Sequence, residues 1–157
     1  IHVHQPAYAD FSYVGNDDAR RSMERSGLKT MGDLGYLDEE GFLFIVDRAA
    51  DMVISGGVNI YPAEIEALLQ SLTGVADCAV FGIPDAEFGE ALAAAVLLQP
   101  GAALTAQQVT DFLKQRLAGY KLPRLVEFVA DMPREDTGKI FKRTLREPYW
   151  AGSKRRI

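Results

Sequence analysis

The sequence predicts a small α+β domain, in which a β-hairpin is followed by a three-stranded sheet packed by helices. Three observations carry this reading. Strand-like runs face each other across a short polar connection, two amphipathic stretches are bounded by helix start and stop residues, and the elements follow the order hairpin, helix, strand, strand, helix, strand, helix.

The hairpin is read from Gly35-Tyr36-Leu37 and Phe42-Leu43-Phe44-Ile45-Val46, which flank the connection Asp38-Glu39-Glu40-Gly41. From Pro62, the apolar residues Ile65, Leu68, Leu69 and Leu72 recur at helical spacing, with Glu64 and Glu66 early and Gly74 beyond the end. Two strands are expected at Asp77–Ile83 and Ala91–Leu98, separated by Pro84-Asp85 and Gly89. Thr105 and Gln108 have the spacing of a capping box ahead of Val109, Phe112, Leu113 and Leu117, and Gly119 is expected to close that second helix. Leu125–Val129 reads as a third strand and Lys142–Glu147 as a short last helix. No internal repeat or low-complexity segment interrupts the pattern.

The chain has 157 residues, 48% hydrophobic and 25% charged, the balance of a globular protein with one ordinary core. Its longest apolar run, Ala91 to Leu98, falls far short of the roughly 20 residues of a membrane helix. The chain opens with Ile1 and carries no basic stretch followed by an apolar one, so it is expected to be a fragment without a secretory signal and to act in the cytoplasm. Cys78, the single cysteine, lies within Cys78-Ala79-Val80-Phe81 and is expected to be buried in a strand. His2 and His4 lack a third ligand nearby, and no metal site is expected.

The net charge of −5 conceals an asymmetry: residues 1–133 are acidic, whereas the last 24 residues hold eight Lys or Arg against three acidic residues. Basic side chains at 134–146 suit a phosphate-bearing small molecule, and Lys154, Arg155 and Arg156 read as a solvated tail. Nucleic acid is disfavoured by the acidic remainder.

Three clusters fall where turns are expected. Gly32-Asp33-Leu34-Gly35 suits either a turn or a carboxylate held for a ligand. Ser55-Gly56-Gly57-Val58-Asn59 suits either a plain loop before a helix or a close approach of ligand to backbone. Asp136-Thr137-Gly138-Lys139 carries either a surface lysine or one presented on a turn. None is a Walker loop, since GxxxxGK followed by Ser or Thr does not occur.

In order, these clusters resemble one family. Gly32-Asp33-Leu34-Gly35-Tyr36-Leu37-Asp38, Asp47-Arg48, Ser55-Gly56-Gly57-Val58-Asn59-Ile60-Tyr61-Pro62-Ala63-Glu64-Ile65-Glu66, Phe81-Gly82-Ile83-Pro84-Asp85 with Gly89-Glu90, and Pro133 with Gly138-Lys139 look like the last third of an adenylate-forming enzyme. That superfamily includes acyl-CoA synthetases, nonribosomal peptide adenylation domains and firefly luciferase. The resemblance runs from about Phe11 to Leu145.

What the resemblance implies is a two-step ligase. A carboxylate attacks the α-phosphate of ATP to give an acyl-adenylate and pyrophosphate, and a thiol then takes the acyl group. Residues 1–49 would be the C-terminal remnant of a large AMP-binding domain and residues 50–157 a lid that rotates between the steps. Asp33 matches the carboxylate that accepts hydrogen bonds from the ribose hydroxyls, assisted by Arg48. Lys139 matches the lysine that bridges acid and α-phosphate during adenylation. Gly56 and Gly57 match the wall of the pantetheine tunnel, and Phe88, Tyr120 and Arg124 fall where CoA ligases contact the CoA nucleotide.

The hinge position holds Ala50, followed by Asp51, where the family usually has Asp or Lys, and Asp47 stands where Gly is more common. The Ser-Gly-Gly-x-Asn-Ile-Tyr-Pro-x-Glu-Ile-Glu form resembles acyl- and aryl-CoA ligases, so the implied partners are ATP, CoA and a small carboxylic acid. The acid pocket, the phosphate loop and bound Mg2+ are expected in the large domain, outside this chain, which alone is expected to be inactive. The alternatives are a carrier-protein thiol as acceptor, or a non-catalytic interaction module.

Overall fold

The computed structural model describes residues 1–4 and 17–152. The basic tail Lys154, Arg155 and Arg156 and the start of the family resemblance at Phe11 lie outside the described residues. Contacts divide the chain into two compact units, Ile1–Ala50 and Asp51–Ile157.

In the first unit, helix α1 (Asp17–Ser22) precedes the short pair β1 (Glu24–Arg25) and β2 (Leu28–Lys29). The expected hairpin follows as β3 (Asp33–Leu37) and β4 (Leu43–Arg48), antiparallel. Its connection is closed by Asp38, whose carboxylate accepts the N–H groups of Glu40 and Phe42 at 3.0 and 2.8 Å. The Gly32–Gly35 cluster departs from its expected turn, since Asp33 already lies in β3. A bulge between Leu34 and Gly35 makes this possible, and a Cβ on Gly35 would strike the Phe44 carbonyl oxygen. Gly35 therefore marks a close strand approach and not a reversal of the chain.

The second unit opens with β5 (Val53–Ser55) and β6 (Val58–Ile60), a pair joined by Gly56 and Gly57. The segment expected to be a loop is thus a two-residue hairpin. Its central residues have φ of +56° and +82°, and such a turn takes glycine because a Cβ disfavours both conformations. Helix α2 (Pro62–Gln70) starts at proline and buries Ile65 and Leu69. Strands β7 (Val75–Asp85) and β8 (Gly89–Leu98) pair antiparallel along their length.

Helix α3 (Ala106–Lys114) has the expected capping box, in which the Thr105 side chain accepts from the Gln108 N–H and the Gln108 side chain accepts from Thr105. It ends before Gly119, because Ala118 turns extended and Gly119 opens a separate 3-10 turn, Gly119–Lys121. Strand β9 (Leu125–Val129) then runs parallel to β8, with α3 in the crossover. The resulting sheet order is β7-β8-β9.

Central β8 is covered on both faces, which explains its apolar run from Ala91 to Ala95, four alanines and Leu92, all buried. One core joins Cys78, Val80, Leu92, Ala94 and Val96 to Ile65 and Leu69 of α2 and Val109 and Leu113 of α3. The alternate residues Phe81, Ala93 and Ala95 pack on Leu145 and Tyr149 of the last helix, α4 (Lys142–Trp150). That helix outruns its expected end at Glu147 and continues through Pro148. Tertiary contacts hold its last turn: Tyr149 Oη donates to Glu127 at 2.6 Å and Trp150 Nε1 to the Gly82 carbonyl at 3.0 Å. Among the described residues no helix is long and apolar enough to cross a membrane.

Candidate functional site

In the first unit, the β3–β4 register sets Asp33 directly opposite Arg48, with Arg48 Nε 3.6 Å from Asp33 Oδ1. Asp33 is half-buried and Arg48 exposed, so the carboxylate is supported from one side and remains open to a ligand. The unit ends at Ala50 and the next begins at Asp51, the two residues singled out as the hinge; Ala50 is exposed and Asp51 half-buried.

The second unit has a cavity of about 360 Å³ between the Gly56–Gly57 turn and the segment around the 3-10 turn. Gly56, Phe88, Tyr120 and Arg124 all line it, together with Ser55, Val58 and Pro123 among others. Four residues drawn from three separate parts of the sequence therefore share one wall. The volume falls within the usual range for a small-molecule site.

Local bonds fix this wall. The Gly56 N–H donates to the Phe88 carbonyl at 2.9 Å, tying the glycine turn to the β7–β8 connection. The Arg124 guanidinium lies 4.8 Å from the Phe88 ring centre and 2.5 Å from Asp85 Oδ2. Asp85 also accepts the N–H groups of Phe88 and Glu87 at 2.8 and 3.0 Å. The Phe88 N–H foremost, with Glu87 and Arg124, holds its carboxyl below the usual carboxylate range. An ionised Asp85 thus orients Arg124 without using all five guanidinium donors. Tyr120 presents an exposed ring at the rim. Its neighbour Lys121 is engaged elsewhere, donating to both Glu64 oxygens at 2.8 and 2.6 Å, and that hydrogen bond raises its pKa.

Gly57 is not among the residues lining the cavity, and a Cβ there would meet nothing within 4 Å. Lys139 stands apart from the cavity on its own tight turn, where Gly138 has φ of +83° and its N–H donates to Glu135 O at 2.8 Å. The Lys139 side chain is exposed. Asp85 has no role legible in the sequence, because only the folded chain sets it against Arg124. Cys78 is buried, as expected, and its thiol is pushed up to about 12 by burial, with Glu66 and Asp77 adding to the effect. Such a thiol is a core group and not a nucleophile. Among the described residues no cluster of three or more His, Cys, Asp or Glu could hold a metal ion.

Residues 64–139 match the family described as AMP-binding enzyme C-terminal domain. Long-chain-fatty-acid–CoA ligase FadD13 of Mycobacterium tuberculosis is 45% identical over 139 residues, covering 88% of this chain and 27% of the relative. The ATP-bound structure of MatB from Rhodopseudomonas palustris superposes with a TM-score of 0.79 at 42% identity, over 84% of this chain and 26% of that one. The chain is similar to the C-terminal part of adenylate-forming enzymes. Its second unit has the α+β fold of the C-terminal lid domain of these enzymes. A further relative, the fatty acid–[acyl-carrier-protein] ligase ScoC of Streptomyces coeruleorubidus, is 43% identical over 145 residues, 92% of this chain and 28% of its own length. The chain spans about a quarter of the length of the curated relatives it matches.

Proposed function

We propose that this chain is the C-terminal part of an ATP-dependent acyl-CoA ligase, with residues 1–49 closing the large AMP-binding domain, residues 50–157 forming the lid, and Ala50-Asp51 serving as the hinge. The observation that carries the reading is the cavity shared by Gly56, Phe88, Tyr120 and Arg124. Its aromatic rings suit a purine, its arginine suits a phosphate, and its glycine turn leaves a path for a thin pantetheine arm.

In the first step Asp33, with Arg48 beside it, accepts hydrogen bonds from the ribose hydroxyls of ATP. Lys139 enters with its cation between the acid and the α-phosphate, where negative charge builds in the transition state. An exposed lysine on a glycine turn supports this role, because the group has to enter one site and leave it again. In the second step the Gly56-Gly57 turn lines the thiol's approach to the acyl-adenylate, and Phe88, Tyr120 and Arg124 hold the CoA nucleotide. Mg2+ belongs in the same reading to the large domain, outside this chain, and offsets phosphate charge there. A cytoplasmic setting goes with ATP and CoA as substrates.

ScoC supplies the specific ground for a second reading, in which a carrier-protein thiol is the acceptor. The cavity favours CoA, since a carrier protein presents a pantetheine arm without the nucleotide that Phe88, Tyr120 and Arg124 would hold.

The test is Lys139→Ala in the full-length parent. Acyl-adenylate formation is expected to be lost, while CoA still captures acyl-adenylate supplied preformed. Undiminished adenylation by Lys139→Ala sinks the proposal.

A further inference from the structure

We infer that Arg134 is a positioning residue for Lys139, fastening the lysine's turn to the free edge of β7; the inference rests on the adenylation role given to Lys139 above. In the sheet order β7-β8-β9, β7 is an edge strand. Two of its N–H groups, at alternate residues, donate to carboxylates: Cys78 to Asp77 Oδ1 at 2.8 Å and Val80 to Glu66 Oε1 at 2.6 Å. Each carboxylate in turn holds a cation that flanks the Lys139 turn. Arg134 Nη2 pairs with Asp77 Oδ2, and Lys142 Nζ lies 2.8 Å from Glu66 Oε1.

The Arg134 link reaches the turn itself. Its second terminal nitrogen, Nη1, donates to the Gly138 carbonyl at 2.6 Å, one peptide unit before Lys139. The guanidinium fork therefore spans from the sheet edge to the backbone that carries the lysine. Around it, the Glu135 N–H donates to the Lys139 carbonyl and the Gly138 N–H to the Glu135 carbonyl, both at 2.8 Å. Side-chain packing does not do this work, since a Cβ at Gly138 would meet nothing within 4 Å and residues 134–139 are exposed. Within this exposed turn, polar links hold the Lys139 backbone.

Partly exposed ion pairs contribute little to overall stability, and Arg134 is about half exposed. Their effect here falls on placement. A group that must meet an α-phosphate loses on the order of 10²-fold in rate when misplaced by about 1 Å. The Lys139 side chain keeps its charge when Arg134 is altered, but not its starting point.

The experiment uses the full-length enzyme and follows its two half-reactions separately. Adenylation is followed by pyrophosphate release with ATP and whichever carboxylic acid, among fatty, aryl and dicarboxylic acids, the unaltered enzyme adenylates fastest. Thioester formation is followed from preformed acyl-adenylate and CoA. Arg134→Gln is expected to lower kcat of adenylation by on the order of 10²-fold, with KM for ATP and the thioester step unchanged. Arg134→Lys, which keeps the charge but loses the two-pronged fork, should recover only a small part of the loss, and Asp77→Asn should reproduce the split. Equal losses in both half-reactions, or normal adenylation in Arg134→Gln beside an inactive Lys139→Ala, would overturn the inference. Normal adenylation in Lys139→Ala would instead remove the reading on which it rests.

Discussion

Replacing Gly56 by alanine puts a methyl group where the fold has no room for one. The residue has φ of +56°, and an L residue held in left-handed geometry costs about 1–2 kcal/mol. The new Cβ would also lie 2.9 Å from Phe88 Cδ1, so the ring has to move. Phe88 is 37% exposed and can swing outward, but in doing so it leaves the Arg124 guanidinium 4.8 Å away, a contact worth about 0.5–1 kcal/mol at such a site. Gly56→Ala is therefore expected to destabilise the chain by about 1.5–3 kcal/mol in urea unfolding. In the full-length enzyme it should raise KM for CoA while sparing adenylation. Gly57→Ala is the matched control: its φ of +82° carries the same backbone penalty, but its Cβ meets nothing within 4 Å. Gly57→Ala should lose about 1–2 kcal/mol with a smaller rise in KM for CoA. Equal effects of the two variants on KM for CoA would refute the coupling between the glycine turn and Phe88.

Two further predictions concern the core. Ile65, wholly buried between α2 and the sheet, should cost about 2–5 kcal/mol on replacement by alanine, read as a lowered urea midpoint; a loss under 1 kcal/mol would mean this face is not packed as described. Cys78, with its thiol pushed up to about 12, should resist an aromatic disulfide reagent at pH 8 in the folded chain and react once urea unfolds it. Its folded value lies above the unfolded one of about 8.5, so its contribution is complete below that pH and should fade as pH rises toward 12. Cys78→Ala should flatten that part of the stability profile, and an unchanged alkaline slope would assign it to other groups.

Helix α2, the Thr105–Gln108 capping box and strand Leu125–Val129 were legible in the sequence, because each is signalled by residues a few positions apart. The candidate residues were named through motif order, and the fold brings Asp33 and Arg48 together across the hairpin and Phe88, Tyr120, Arg124 and Gly56 around one cavity. Reading stopped where glycine has more than one use. Gly35 suits a turn as well as a bulge, and Gly119 a helix end as well as the start of a 3-10 turn; neighbouring strands and backbone decide between them.

By itself, then, the sequence determined the main elements from the Asp33–Arg48 hairpin to α4, though not the β5–β6 pair, and named the candidate residues, since periodicity, capping and motif spacing are local properties of the chain. Only the tertiary structure decided that β8 is central with β9 parallel beside it, and that α4 runs through Pro148 because Tyr149 and Trp150 find partners on the sheet. It also decided that Arg134 reaches Asp77, 57 residues earlier, to hold the turn of Lys139. Such contacts depend on which strand edge and which buried face are left free once the sheet has formed, and no local pattern of residues encodes that.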